Sequence, residues 1–75
     1  MKATSIMANQ TLSANEKLDL LNTVNSLSAK LHALLCNAYG EAGESFRGLN
    51  DELQDNYLWA CSDIAAEIKD AAFKL

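Results

Sequence analysis

Residues 39–49 read YGEAGESFRGL and hold all three glycines of a 75-residue chain that contains no proline. Glycine destabilises helices, and a long stretch with apolar residues at helical spacing lies on each side of this segment. The sequence therefore predicts an all-α fold, a two-helix antiparallel αα-hairpin, with helices over 13–38 and 50–74 and a loop over 39–49. Residues 1–12 are mostly small and polar, and they are predicted to form a flexible N-terminal arm.

Short signals mark the ends of both predicted helices. Ser13 followed by Glu16 matches a capping box, in which each residue satisfies a backbone N–H of the other. Asn50 is a good N-cap for the second helix. Gly40 is predicted to end the first helix in the left-handed conformation. Phe46 is the one large apolar residue inside the predicted loop, whose two ends are Tyr39 and Leu49. It is predicted to plug the end of the hairpin.

The apolar residues of both helices recur at spacings of three and four. This pattern is typical of a helix that packs against others at a small crossing angle. The apolar face of the second helix spans about 160°, which is wider than a single neighbouring helix requires. The residues predicted to form the core and association face are Leu20, Val24, Leu27, Leu31, Leu34, Leu53, Tyr57, Ile64 and Ile68. Their flanks carry Leu21 and Leu35 on the first helix and Leu58, Ala65 and Ala72 on the second.

A hairpin of two helices cannot enclose a core of its own. So short a chain buries a small fraction of its surface, and small domains usually need a disulfide, a metal or a partner subunit. Cys36 and Cys61 lack the spacing of a zinc site and are predicted to remain reduced thiols. The sequence therefore predicts that two hairpins pair into a homodimeric four-helix bundle.

Trp59, Ala66 and Phe73 recur at intervals of seven on the far side of the second helix. This stripe holds two of only five aromatic residues in the chain. One interpretation is that it packs across a dimer or against the N-terminal arm. A second is that it docks a different protein, and a third is that these are scattered exposed side chains.

The sequence offers no convergent set of catalytic or metal-binding groups. His32 is the only histidine, and Ser28 and Cys36 occupy the positions one helical turn away where a metal partner would stand. The glycine-containing segment follows a helix, whereas a phosphate-binding loop follows a strand. It also carries acidic residues at positions where a phosphate would bind. We therefore expect a non-enzymatic protein with no catalytic residue, no metal and no cofactor.

The charge balance argues against nucleic acid and membrane partners. The chain has ten acidic and six basic residues, a net charge of −4, whereas nucleic acids and anionic membranes attract basic patches. No segment approaches the ~18 apolar residues of a membrane span. The N-terminus is too short and polar for a secretory signal. The sequence therefore predicts a cytoplasmic protein.

Residues 57–67, YLWACSDIAAE, resemble the second helix of small, uncharacterised proteobacterial helical proteins, and the similarity extends over residues 57–71. The resemblance implies a bacterial, cytoplasmic setting and no defined activity. The leading hypothesis is thus a non-enzymatic protein–protein interaction or small regulatory module that acts as a hairpin dimer.

Two other functions remain open at this point. An acidic inhibitor, like an antitoxin, would occupy a basic site on a target by means of the acids around the loop. These acids are Glu41, Glu44, Asp51, Glu52 and Asp55. A nucleic-acid-directed regulator would resemble, in shape alone, the plasmid copy-number RNA-binding hairpin that dimerises as a four-helix bundle.

Overall fold

A computed structural model describes residues 12–75, and within them it is a helical hairpin, which confirms the all-α prediction. Helix α1 spans Ala14–Cys36, and helix α3 spans Asp51–Phe73 and packs against it. Between them lie a 3₁₀ turn, Glu41–Gly43, and a short helix α2, Glu44–Arg47. The arm predicted over residues 1–12 lies outside the described residues except for Leu12. Each long helix has 23 residues and is about 35 Å long at 1.5 Å per residue.

The predicted caps at the two helix starts are confirmed. The Glu16 backbone N–H donates to the Ser13 hydroxyl, and the Ser13 N–H donates to the Glu16 carboxylate, both at 3.1 Å. At the start of α3 the Leu53 N–H donates to the Asn50 side-chain oxygen at 2.8 Å. These bonds satisfy N–H groups that have no partner within the helix. They fix where each long helix begins.

The end of α1 differs from the prediction made for Gly40. The helix ends at Cys36, because the Asn37 N–H bonds to carbonyls of the last turn and its side-chain amide donates to the Ala33 carbonyl at 2.9 Å. Gly40 comes four residues later, with φ 64° and ψ −156°. This is a mirror-extended conformation open almost only to glycine, and not the left-handed helical one. Gly40 therefore turns the chain into the 3₁₀ turn rather than ending α1.

Most of the connection predicted as a loop over 39–49 is in fact folded into helical turns. Gly43 is buried, and a Cβ atom there would lie 2.7 Å from the backbone carbonyl carbon of Ala38. Only glycine allows the two backbone segments to approach this closely. The Arg47 guanidinium donates to the Gly40 carbonyl at 3.0 Å. The connection is thus held together by its own contacts.

Three side chains join the connection to the long helices. The Phe46 ring meets the Tyr57 ring edge-on, with centroids 5.0 Å apart. The Tyr57 hydroxyl donates to the Leu34 carbonyl near the end of α1. The Gln54 amide donates to the Leu49 carbonyl at 2.8 Å. The glycine-containing end of the hairpin is therefore tied down by side chains of α3.

Candidate interaction surfaces

The residues by which the two long helices meet form the interhelical face. Its members on α1 are Leu20, Val24, Leu27, Leu31 and Leu34, and on α3 they are Tyr57, Cys61, Ile64, Ile68 and Ala71. Cys61 and Ala71 are 6% exposed, and every other member is only half-buried. Leu53, assigned to this face from the sequence, is exposed, because it lies one turn before Tyr57 and so beyond the end of α1. Among residues 12–75 no large side chain is fully buried.

One broad side of the hairpin is apolar and carries no charge at its centre. Relative to the interhelical face, Leu35, Ser28 and Leu21 lie about 60° to 100° round α1 at 100° per residue. Ala72, Ala65 and Leu58 lie about 60° to 100° round α3 in the same sense. Because both helices are right-handed and run in opposite directions, this sense of rotation leads to the same side of the hairpin. We call these six residues the leucine face; all six are exposed.

The opposite broad side, the polar face, carries charged residues from both helices. A groove of about 730 Å³ at the end of the hairpin away from the connection is lined by the charged residues Glu16, Asp19 and Lys74 and by the apolar residues Leu12, Leu20, Phe73 and Leu75. In helical projection Glu16, Asp19 and Lys74 are rotated away from the interhelical face in the direction opposite to that of the leucine face. The hairpin is therefore amphipathic across its thickness as well as between its helices.

Trp59, Ala66 and Phe73, the aromatic stripe, lie on the side of α3 that points away from α1. Trp59 is 67% exposed and Phe73 is 91% exposed. The structure brings these residues neither into the interhelical face nor into the leucine face. The stripe is accordingly an apolar surface on the outer edge of the hairpin, and at its end Phe73 also lines the groove described above.

Carboxylates border the aromatic stripe on both sides. In helical projection Asp63 and Asp70 lie on one flank and Asp55 on the other, all of them exposed. Lys69 lies on the same flank as Asp55 in helical projection, so acids outnumber basic residues at this border by three to one. The stripe therefore combines apolar contact area with a negative rim.

The acids around the connection form the acidic cluster, Glu41, Glu44, Asp51, Glu52 and Asp55, and all are exposed. Four of them occupy the first turns of the 3₁₀ turn, of α2 and of α3. Acids at a helix N-terminus interact favourably with the helix dipole, so these four have a role within the hairpin itself. They also give one end of the hairpin a negative charge.

The groups that could perform chemistry remain apart. His32 is exposed, and Cys36 and Cys61 are free thiols. Within residues 12–75 there is no group of three histidine, cysteine, aspartate or glutamate side chains placed to hold a metal ion. None of the described helices is both long enough and apolar enough to cross a membrane. The pKa of the Glu16 carboxyl lies below its ordinary value, because the Ser13 backbone N–H and then the Ser13 hydroxyl stabilise the charged form.

Comparisons of the chain with protein-family models, with curated proteins and with solved structures gave no match. Function is therefore inferred from the exposed surfaces described above. The sequence identified Leu21, Leu35, Leu58, Ala65 and Ala72 only as flanks of two separate helices. That they share one side of the hairpin follows from the antiparallel packing. The signal was the sense of rotation of each flank about its helix, read together with the direction of the chain.

Proposed function

We propose that this chain is a non-enzymatic protein–protein interaction module, a homodimer of helical hairpins that presents the aromatic stripe to a second protein. The observation that carries the proposal is the exposure of Trp59 and Phe73 on the side of α3 that faces away from its partner helix. Tryptophan and phenylalanine are enriched at the centres of protein interfaces, where they supply large apolar contact areas.

Dimerisation is supported by the state of the interhelical face. Leu31 and Ile64 lie at its middle and are only half-buried. Burying a leucine or isoleucine completely contributes about 1.5–3 kcal/mol, but ordering each residue costs about 1–2 kcal/mol for the backbone alone. A single hairpin recovers only part of the first term. A second hairpin would bury more of the same side chains and of the leucine face beside them.

The rim of the aromatic stripe favours a partner of particular chemistry. Asp55, Asp63 and Asp70 surround apolar side chains with negative charge. The complementary surface is an apolar ridge flanked by lysine or arginine, as on a basic amphipathic helix. A partner of this kind is also consistent with the hypothesis of an acidic inhibitor, because the inhibitor would cover a basic, partly apolar site on its target.

The single tryptophan of the chain makes this proposal testable by fluorescence. A tryptophan-free amphipathic peptide of leucine and lysine is titrated into the protein while the emission of Trp59 is followed. We expect a blue shift and saturable binding, because the indole passes from water into an apolar contact. The control peptide carries glutamate in place of each lysine and keeps the leucines, and we expect no shift with it.

The variant Phe73→Ser separates apolar docking from simple charge attraction. It removes the second aromatic ring of the stripe and leaves every acid in place, so we expect peptide affinity to fall about tenfold or more. Equal binding of the two peptides, or unchanged affinity in Phe73→Ser, would contradict the proposed docking surface.

A further inference from the structure

We propose that the leucine face is the dimer interface and that a second copy of the chain covers it with its connection at the opposite end of the bundle. The inference rests on the proposed homodimer and assigns its surface and its direction. It also decides between two roles that the sequence left open for the aromatic stripe: the leucine face joins the two copies, and the aromatic stripe remains outside the dimer.

The leucine face is arranged in three matched layers. The bond between Tyr57 and the Leu34 carbonyl fixes how the two helices stand beside each other. Steps of one heptad from that point lead to residues 27 and 64 and then to 20 and 71. The facing pairs of the leucine face lie one residue further along each helix, so the members of a pair lie within about 3 Å of the same height. These pairs are Leu35 with Leu58, Ser28 with Ala65, and Leu21 with Ala72. The leucines thus lie only in the two end layers, and the middle layer holds small residues alone.

The area of this face is sufficient for a stable dimer. Each helix is about 35 Å long and about 10 Å across. Two helices side by side therefore offer a face of roughly 700 Å² on each copy. A standard protein–protein interface buries about 800 Å² per partner. Leu21 and Leu58, each 48% exposed, supply apolar area that the hairpin leaves in water. The polar face has similar dimensions, but Asp19, Lys74 and other charged groups would have to be desolvated there, whereas the one charged residue on the leucine-face side within the same angular range is Lys17, near the start of α1.

The acidic cluster determines the direction in which the second copy lies. Two connections at the same end would bring ten carboxylates together, five from each copy. Placing the connections at opposite ends separates these like charges and sets each acidic cluster near the other end of the partner hairpin. That end carries Lys17, Lys69 and Lys74 interspersed with Glu16, Asp19 and Asp70, so it is close to neutral, whereas the acidic cluster is strongly negative. Charge therefore favours the opposite-ended arrangement.

In this opposite-ended arrangement, each layer of the leucine face meets an apolar or small-residue layer of the second copy. The twofold axis passes through the middle layer, so Ser28 meets Ser28 of the second copy and Ala65 meets its own equivalent. Leu21 then lies over Leu35 of the second copy, and Leu58 lies over Ala72. Each large residue finds an apolar position, and small residues face each other where the helices come closest. The face is self-complementary, as a twofold interface requires.

Cysteine cross-linking tests both the face and the direction. Ser28→Cys is introduced into a Cys36→Ala background, in which the buried Cys61 is retained as an unreactive thiol. Mild oxidation is expected to give a disulfide-linked dimer, because Ser28 faces its own equivalent across the axis. The control is Ser26→Cys in the same background, since Ser26 is exposed but lies off the leucine face. Cross-linking of Ser26→Cys as efficient as that of Ser28→Cys would overturn the inference.

A second pair of variants measures the strength of association in analytical ultracentrifugation. Leu58→Glu is expected to raise the dimer dissociation constant by roughly 100-fold, because two carboxylates enter one apolar interface. Asn56→Glu adds the same charge two residues away on the polar side and is expected to leave the constant unchanged. Far-UV circular dichroism shows whether each variant remains helical.

The possible failures are distinguishable. A wild-type chain that sediments as a folded monomer would overturn the proposed homodimer and this inference with it. A dimer that survives Leu58→Glu but dissociates in Trp59→Glu would leave the homodimer standing and move its interface to the aromatic stripe. Peptide binding to the stripe is measured separately; it is independent of a dimer formed through the leucine face, whereas a dimer formed through the stripe would compete with the peptide.

Discussion

The Tyr57 hydroxyl of α3 donates a hydrogen bond to the backbone carbonyl of Leu34 in the last turn of α1. The Asn37 N–H also donates to this carbonyl, at 3.2 Å, so the tyrosine adds a second hydrogen bond that comes from the neighbouring helix. The same tyrosine ring meets Phe46 of α2. One side chain therefore joins three elements and sets the register on which the layers of the leucine face depend.

Replacing Tyr57 with phenylalanine removes this bond and keeps the ring. We expect the free energy of unfolding to fall by about 1 kcal/mol, the usual net value of such a hydrogen bond. Urea denaturation followed by circular dichroism measures the change. Tyr39→Phe is the matched control, because Tyr39 is 64% exposed and lies outside the helices, and it should leave the stability unchanged. Equal stability of both variants would argue against the role given to Tyr57.

The three glycines are expected to respond differently to substitution by alanine. At Gly43 the new Cβ would lie 2.7 Å from the Ala38 backbone, so Gly43→Ala should destabilise the hairpin by about 2 kcal/mol. At Gly40 the space is free but φ is 64°, and the strain should cost roughly 1–3 kcal/mol. Gly48 has φ −81° and no neighbour closer than 3.5 Å to the added carbon.

Gly48→Ala is therefore the control of this series. It restricts the unfolded chain without strain in the folded one, and it should be neutral or stabilise by a few tenths of a kcal/mol up to about 1 kcal/mol. Thermal unfolding of the three single variants gives the order directly. A series in which Gly48→Ala is the most damaging would contradict the structure of the connection.

The middle of the interhelical face should not tolerate a charge. Leu31→Asp places a carboxylate between α1 and α3, where no group is available to pair with it, and we expect the chain to lose its helical circular dichroism signal. His32→Asp is the matched control, because it introduces the same residue at the adjacent, exposed position. It should remain folded. A folded Leu31→Asp variant would contradict the assignment of this face.

The helices and their starts could be predicted because their determinants are local. The Ser13–Glu16 capping box, the Asn50 cap and the spacing of leucines act within a few residues along the chain. The end of α1 could not be predicted in the same way. Asn37 competes with Gly40 for that role through its side-chain bond to the Ala33 carbonyl, and the sequence does not show which bond prevails.

The candidate surfaces depended on information that lies outside any single helix. The aromatic stripe was visible from its heptad spacing alone. The leucine face was not, because it combines Leu21 of α1 with Leu58 of α3, which are far apart in sequence. Only the antiparallel packing places them on one side. The folded connection was missed for a similar reason: its order comes from the close approach of Gly43 to Ala38.

Acid should weaken the start of α1 through Glu16. Its folded-state pKa lies below the ordinary value of 4.5 because the Ser13 N–H and hydroxyl stabilise the carboxylate. A depressed folded pKa contributes stability above the unfolded pKa, and that contribution is lost as the pH falls through the folded value. We therefore expect the wild-type hairpin to lose stability as the pH is lowered from about 5 through the acidic range.

Glu16→Gln isolates this contribution, since glutamine cannot lose or gain a proton there. The variant should be less stable than the wild type at neutral pH, and the difference should shrink as the wild-type carboxyl becomes protonated. Glu67→Gln removes one exposed charge from α3, away from the Ser13 cap and from the first turn of any helix, and serves as the control for net charge. Urea denaturation at several pH values gives both curves. A Glu16→Gln difference that stays constant from neutral to strongly acidic pH would show that the capping box owes nothing to the charge of Glu16.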